Sequence, residues 1–445
     1  MKRKLAICVI LFLASFAVRI LVWQNNKIEM ATVQSVVTEN YLRDATALAT
    51  GDIRAFLAGP DPPSNARVID HPPGYPLLIG AVTTASADVE TWRVIQIALN
   101  SLAAVLLFLI AAALLNERVG MIAGMLAALS PQLAYHSGLL LPDELSVIPI
   151  LTAVYFFVLA MRVPLVRNAL LCGVFLAASC WLRSNALVLP LYFAVAAVAL
   201  IPRCSRLRFA GLMIMAFVVA IAPITIRNAM YFGSFIPLSL GSGTTFVEGL
   251  GDIDDGSPRL PRTDEDVMRL DASLDGSDNQ YSSLYDPNGV ERDRQRTKYG
   301  LSVVRSEPLW FASVVAARGA STFRLERVPA IAAGRDEKDT TPLFVYWANR
   351  PLKVLQRAFV TAAFLPFVCF GLIVLWVCRK WRESIVLLVV PLYYATVQPL
   401  VHTEYRYVLA IPHLLMIIAA VAICWIAGKV LKLLGRDRES AAAAQ

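Results

Sequence analysis

The sequence predicts an all-α, polytopic membrane protein, and three observations carry that prediction. Hydrophobic residues fill 57% of the 445 positions and charged residues only 17%, against roughly 45–50% and about 25% in a soluble globular chain. The apolar residues gather into runs, about ten of them close to the ~20 residues a helix needs to cross a bilayer. Short clusters of Lys and Arg separate the runs and fall on one side of the membrane, as the positive-inside bias requires. The net charge of +8 therefore reads as basic helix ends, with no nucleic-acid partner.

Taken in order, the expected spans lie near 5–23, 93–115, 119–137, 145–161, 168–183, 186–201, 209–227, 354–377, 384–400 and 407–430. Several abut, so the expected count is about 10 (8–13) transmembrane helices. Lys2, Arg3 and Lys4 precede the apolar stretch Leu5 to Trp23, which resembles a signal peptide but is long for one and lacks a small-x-small cleavage site. A retained signal anchor over 1–23 is expected. A first extracytoplasmic loop with a juxtamembrane helix then fills 24–92, and a helical core fills 93–227. A large extracytoplasmic loop occupies 228–353, C-terminal helices 354–430, and a cytoplasmic tail 431–445.

Orientation follows from the short loops. With the N-terminus cytoplasmic, Lys2 to Lys4, Arg118, Arg162 and Arg167, Arg203 to Arg208, Arg379 to Arg382 and the tail from Lys429 to Arg438 all lie inside. The outer side receives the two long polar segments, the turn from His136 to Glu144 and the stretch Val401 to Arg406. Val33 to Gly51 has a helical pattern, Asp252 to Asp293 reads as mostly irregular, and Glu291 to Arg327 reads as an amphipathic helix at the interface. The seven cysteines lie in apolar runs or at basic ends, so they form neither a disulfide framework nor a metal cluster.

The residues with chemistry to offer gather on that outer side. Asp143 and Glu144 stand at the edge of an apolar run, where carboxylates are costly to bury; they read equally as a helix cap and first-turn acid. Asp70 and His71 open a Pro/Gly turn running through Tyr75 to Pro76, whose prolines alone explain an entry turn. Arg183 and Arg227 end apolar runs, and each either snorkels to lipid headgroups or grips an anionic substrate through its planar fork. His402, Glu404, Arg406 and Tyr407 form the densest polar group of the apolar C-terminal third, better explained by a site than by a solvated loop. In the first outer segment, a helix from Val33 onward places Tyr41 and Asp44 on one face and Glu39 toward another.

These elements, in this order, resemble the GT-C superfamily of membrane glycosyltransferases, in particular the branch that uses polyprenyl-phosphate sugars: protein O-mannosyltransferases and the aminoarabinose transferases of lipid A. The resemblance runs from Glu39, Tyr41, Ala45 and Leu48 through Pro72 to Pro76, then Tyr135 to Asp143, Arg183 to Asn185, Pro223 to Ser239, and Arg406 to Pro412 with Leu409. Val37 stands where the family carries an Asp, with Glu39 the nearest carboxylate, and Asn185 replaces the usual Glu.

The resemblance implies an inverting transfer at the outer face of a bacterial inner membrane, with both termini cytoplasmic. The donor is a polyprenyl-phosphate-linked sugar and the acceptor a lipid, a glycan or a protein, with membrane lipids as surroundings. Glu39 is the first choice for the general base, Asp143 the second and Asp44 the third. Arg183, Arg227 and Arg406 face the leaving phosphate, with His71 and His402 as further donors and Tyr41, Tyr75, Glu144, Glu404 and Tyr407 as substrate contacts. Asp143 beside a phosphate needs a cation, supplied by Arg, Lys or a divalent metal. Two other readings stay open: a transporter or flippase of a lipid-linked saccharide, and an inactive scaffold of a glycan-assembly complex. A transporter needs ionisable residues near the midplane of several spans.

Overall fold

A computed structural model describes residues 2–50, 69–83, 88–251, 260–277, 280–324 and 342–443. Among them the chain is helical and contains no strand. Every apolar run predicted to span has a helical counterpart. Five helices are long and apolar enough to cross a membrane alone: α1 (Lys2–Asn25), α5 (Val89–Leu114), α11 (Arg206–Phe232), α18 (Trp381–Val401) and α19 (Ala410–Ala443), the last through Leu433. A sixth crossing arises if α16 (Leu343–Gln356) and α17 (Thr361–Val377), bent by 53° at their junction, act together.

The rest of the expected spans are shorter helices. They are α6 (Glu117–Leu129), α7 (Pro131–Gly138), α8 (Val147–Arg162), α9 (Val166–Leu182) and α10 (Leu189–Leu200). Two of them come from one expected span, 119–137, which divides at Ser130. Pro131 drives the preceding residue out of the helical region, and Ser130 sits at φ −60, ψ 121, its hydroxyl accepting from the Leu133 amide at 3.5 Å. This puts a corner just before the Tyr135 to Glu144 turn.

The helices of the core approach closely because small residues lie between them. A Cβ on Gly173 would stand 2.1 Å from the Met213 carbonyl oxygen, and one on Gly371 would stand 2.1 Å from that of Ile418. Those contacts seat α9 on α11 and α17 on α19. Side-chain size at such crossings limits how near two backbones come. One continuous apolar cluster, from Ala103 on α5 to Ile418 on α19, fills the bundle.

The remaining helices are α2 (Lys27–Thr32), α3 (Ser35–Ala49) and α4 (Gly74–Thr83), and then those of the long segment expected to lie outside. The latter holds α12 (Ser242–Gly251), α13 (Asp264–Leu274), α14 (Gly289–Ser306) and α15 (Pro308–Ser321). Helix α13 corrects the expectation of an irregular stretch. Thr263 and Asp266 form a capping box, each side chain taking the other's backbone N–H, a local signal that outweighs the Asp/Gly/Ser composition around it. The expected helix through 291–327 divides at Glu307, before Pro308.

Buried charge holds the outer segment together. Asp271 accepts from Arg292 at 3.0 Å and from Arg296 Nε at 2.9 Å, with all three side chains nearly inaccessible. Asp293 accepts from the Gly243 and Thr244 amides at 3.0 and 3.1 Å, satisfying the first turn of α12. A Cβ on Gly249 would lie 1.9 Å from the Val401 carbonyl oxygen, so α12 rests directly on the end of α18. The outer segment thereby reaches the strand of chain that carries His402 to Tyr407.

Gly371→Val should lower stability by about 1–3 kcal/mol through overpacking, read as a lower thermal midpoint in detergent. Gly211 has nothing within 4 Å of its would-be Cβ, so Gly211→Ala should be neutral or stabilising. Equal midpoints for the Gly371 variant and wild type would contradict the described contact.

Candidate active site

The site is built on the turn between α7 and α8. Carbonyls of that turn are held by side chains from α5, from α9 and from the turn itself. Gln96 Nε2 on α5 donates to the Leu139 carbonyl at 2.5 Å and the Ser137 carbonyl at 3.3 Å. Ser146 Oγ donates to the Asp143 carbonyl at 2.7 Å, and Ser179 Oγ on α9 to the Ser146 carbonyl at 2.9 Å. Helix α8 starts at Val147 with Ser146 in the cap position, so neither Asp143 nor Glu144 is its cap. Both acids are buried, at 3% and 1% exposure, and they take different partners.

Asp143 Oδ1 lies 2.9 Å from Arg183 Nη1. Arg183 follows the last residue of α9 with φ −153 and ψ 131, and that extended backbone releases its side chain from the helix. Its guanidinium stands 4.3 Å from the centre of the Tyr407 ring. Arg406 lies over the same ring at 5.1 Å, and its Nη2 donates to the Tyr407 hydroxyl at 3.2 Å. Two guanidiniums thus share one aromatic ring, a geometry in which the ring quadrupole attracts each cation.

The next residues outward complete the set. Arg406 Nε donates to Glu404, whose other oxygen lies 3.4 Å from His402 Nε2. Burial opposes the Glu404 charge, but the His402 and Arg406 contacts prevail and hold its carboxyl down to about 2. Burial likewise works against the Arg406 cation, and Tyr407, Asp143 and Glu404 together raise it above its ordinary value. Asn185 donates from Nδ2 to the Tyr407 carbonyl at 2.9 Å, and the Tyr393 hydroxyl donates to the Asn185 carbonyl at 2.6 Å. Asn185 therefore fastens the segment that bears Tyr407.

Tyr41 closes the other side. It is buried, stacks on His71 at 5.0 Å and meets Tyr75 edge-on at 4.9 Å. Burial raises its phenol well above the usual range, with Arg183, Asp143 and Asp70 the charges it feels most. The Tyr75 hydroxyl donates to Gln96 Oε1 at 2.6 Å, the same amide that holds Leu139. Asp70 accepts from the Tyr285 hydroxyl and lies 3.5 Å from His71 Nε2. The Leu240 amide donates to the Ile69 carbonyl at 2.5 Å, joining the two outer segments at this point.

The chain thus brings together Asp143, Arg183, Arg406, Tyr407, Glu404 and His402 on one side, and Tyr41, His71 and Tyr75 on the other. It does not bring Glu39 to them: Glu39 is exposed on α3, two positions and roughly 200° around the helix from Tyr41. Asp44 pairs with Arg43 at 3.0 Å. Arg227 donates to Asn228 Oδ1 at 3.0 and 2.8 Å, and Asn228 in turn holds the Ile236 and Leu238 carbonyls. Arg227 thereby anchors the turn after α11, with no described contact to Asp143.

Glu144 faces the bundle, toward Arg19 and His413. His136 is the further residue that sequence reasoning did not single out: it is buried, its ring 5.5 Å from Tyr405. Among the described residues no three His, Cys, Asp or Glu side chains converge to hold a metal ion. The cation beside Asp143 is Arg183.

Comparisons with known proteins agree with this architecture. The family model of dolichyl-phosphate-mannose-protein mannosyltransferases matches residues 70–226. The fold is similar to that of the oligosaccharyltransferase of Archaeoglobus fulgidus in its apo form, with TM-score 0.53 at 13% identity, covering 98% of this chain and 52% of that one. The archaeal oligosaccharyltransferase AglB of the same organism, in complex with an inhibitory peptide and a dolichol-phosphate, gives TM-score 0.52 at 16% identity, with 98% and 52% covered. The chain thus spans about half the length of these solved relatives. No curated protein matches the chain.

One titration is predicted to be visible. Burial, a hydrogen bond with Asp264 and that carboxylate's charge push Glu248 on α12 up to about 8, with His402 pulling down and Glu404 adding to the rise. The folded chain therefore keeps a proton that the unfolded chain loses above its ordinary 4.5. The stability tied to it is complete below 4.5 and is lost as pH rises through about 8. Amide exchange protection of α12 should fall over that window and lose the slope in Glu248→Gln; identical slopes would contradict the assignment. Residues 70–226 thus match the family model of dolichyl-phosphate-mannose-protein mannosyltransferases, and the fold of the chain is similar to that of the archaeal oligosaccharyltransferase.

Proposed function

We propose that this chain transfers a sugar from a polyprenyl-phosphate donor to a hydroxyl-bearing acceptor on the extracytoplasmic face of the membrane, with inversion. The observation that carries the reading is the buried Asp143 carboxylate 2.9 Å from Arg183, whose guanidinium shares the Tyr407 ring with Arg406. A carboxylate and a two-arginine anion clamp within one cluster are the parts such a transfer needs. In a water-poor pocket, fixed cations aimed at a departing phosphate are the largest electrostatic contribution available, and guanidinium matches phosphate oxygens bidentately.

The chemistry is one displacement. The acceptor oxygen forms a bond to the anomeric carbon while the carbon–oxygen bond to phosphate breaks. The electron pair leaves with the polyprenyl phosphate, toward Arg183 and Arg406. The acceptor proton goes to a carboxylate, and base assistance of this kind is worth roughly 10²–10⁴-fold. Asp143 is the base in this reading, because Glu39 lies on an exposed helix face while Asp143 is buried beside the two arginines. Attack from the side opposite the phosphate inverts the anomeric centre.

The ionisable residues also favour an enzyme over a transporter. Arg19 lies six residues from the end of α1, and His413 three residues into α19. Even the charges inside spans therefore sit near one mouth of the bundle, within about 10 Å of the helix end at 1.5 Å per residue.

Membranes bearing the chain, incubated with radiolabelled polyprenyl-phosphate sugars, should transfer label to an acceptor. Asp143→Asn should lose about 10²–10⁴-fold of that rate and Glu39→Gln much less. A greater loss in Glu39→Gln would move the base to that residue. Absence of transfer by wild type from every donor tested would overturn the reading.

A further inference from the structure

Glu144 is a carboxylate buried in the helical bundle that the proposed transfer does not use. Its side chain, like those of Arg19 and His413, is 0% exposed. Glu144 Oε1 lies 3.9 Å from Arg19 Nη2 on α1 and 3.3 Å from His413 Nε2 on α19. Each of the two partners is itself aimed by its own helix. Arg19 Nη1 donates to the Ser15 hydroxyl one turn earlier. His413 Nδ1–H donates to the Leu409 carbonyl at 2.7 Å, which turns Nε2 toward Glu144. The first and last crossing helices therefore meet at a single side chain of the α7–α8 turn.

That side chain is the immediate neighbour of Asp143. The two acids diverge, Glu144 into the bundle and Asp143 toward Arg183. Pro142 restricts the backbone just before them, and Ser146 ties the Asp143 carbonyl just after. Fixing the Glu144 side chain thus fixes the peptide from which Asp143 projects. A purely structural need for burial at this place would be met as well by apolar side chains, which often replace a buried ion pair at no loss of stability. What the convergence adds is a fixed place for the carboxylate, because Arg19 Nη2 and His413 Nε2 approach the same Glu144 oxygen from two different helices, at 3.9 and 3.3 Å.

We propose that Glu144, held between Arg19 and His413, is a positioning residue that sets the Asp143 carboxylate against Arg183 for catalysis. The proposal rests on the reading of Asp143 as the catalytic base. Glu144 has no described contact with Arg183 or Arg406; it acts through the turn. A carboxylate displaced by about 1 Å from its productive place is expected to cost on the order of a hundredfold in rate.

The test uses the full chain in lipid nanodiscs, with a polyprenyl-phosphate sugar as donor, and compares Glu144→Gln, His413→Gln and Arg19→Lys alone and combined with Asp143→Asn. In Glu144→Gln, kcat should fall about a hundredfold while the donor KM stays within about threefold. That fall should vanish in the Asp143→Asn background, since the two substitutions remove one function. Arg19→Lys, which keeps the cation, should retain more of the rate than Arg19→Met. If Glu144→Gln does not fold, His413→Gln, which leaves the Arg19–Glu144 pair intact, reads the same effect. Unchanged kcat in the folded variants, or an equal fall with and without Asp143, overturns this inference alone. A wild-type rate in Asp143→Asn overturns the function reading, and this inference with it.

Discussion

A carboxylate taken out of water needs a cation, and the arrangement of this protein follows from meeting that need twice at adjacent positions. Removing one partner of a buried ion pair costs about 3–5 kcal/mol, because the remaining charge is left uncompensated. Asp143 finds Arg183 at 2.9 Å, and Glu144 finds Arg19 and His413. These partners come from the end of α9, from α1 and from α19, elements far apart in sequence. The α7–α8 turn that carries the acids therefore becomes the point where the bundle is tied, and the outer segments are docked around it. Farther along the chain, α12 rests on the end of α18 through Gly249. That contact fixes the start of the segment running from His402 to Tyr407, which supplies the second guanidinium.

Much of the architecture was legible because bilayer physics leaves few alternatives. A backbone in lipid must satisfy its own polar groups, so apolar runs of sufficient length are helices. Every expected run has a described helix. The boundaries were less legible where local chemistry competes with composition. Ser130 before Pro131 breaks a run that reads as continuous. Thr263 and Asp266 start a helix where Asp, Gly and Ser suggest none.

The site was legible in its residue types and less so in its directions. Asp143, Arg183, Arg406 and Tyr407 stand out as polar residues at the mouths of apolar runs, and they come together. The sequence does not say which way a side chain faces. Glu39 and Tyr41 are two residues apart, and helical geometry leaves one exposed and buries the other against His71 and Tyr75. Glu144 differs from its neighbour Asp143 in the same way. Arg227 reads as a phosphate ligand until Asn228 is seen to occupy it. His413 was illegible for another reason: within an apolar run, a lone histidine carries no signal of the acid that the fold places opposite it.

The proposed transfer depends on Arg183 and Arg406, both over the Tyr407 ring and beside Asp143, acting as the anion clamp for a lipid-linked phosphate. Affinity for polyprenyl phosphate alone, measured by titration into the chain in nanodiscs, tests it without requiring the sugar or the acceptor. Loss of a hydrogen bond to a charged group is worth about 1.5–3 kcal/mol, so Arg183→Gln should bind roughly 10- to 100-fold more weakly. Arg227→Gln, whose arginine is engaged with Asn228, should bind as wild type does. Unchanged affinity in Arg183→Gln, or a loss confined to Arg227→Gln, would contradict the account.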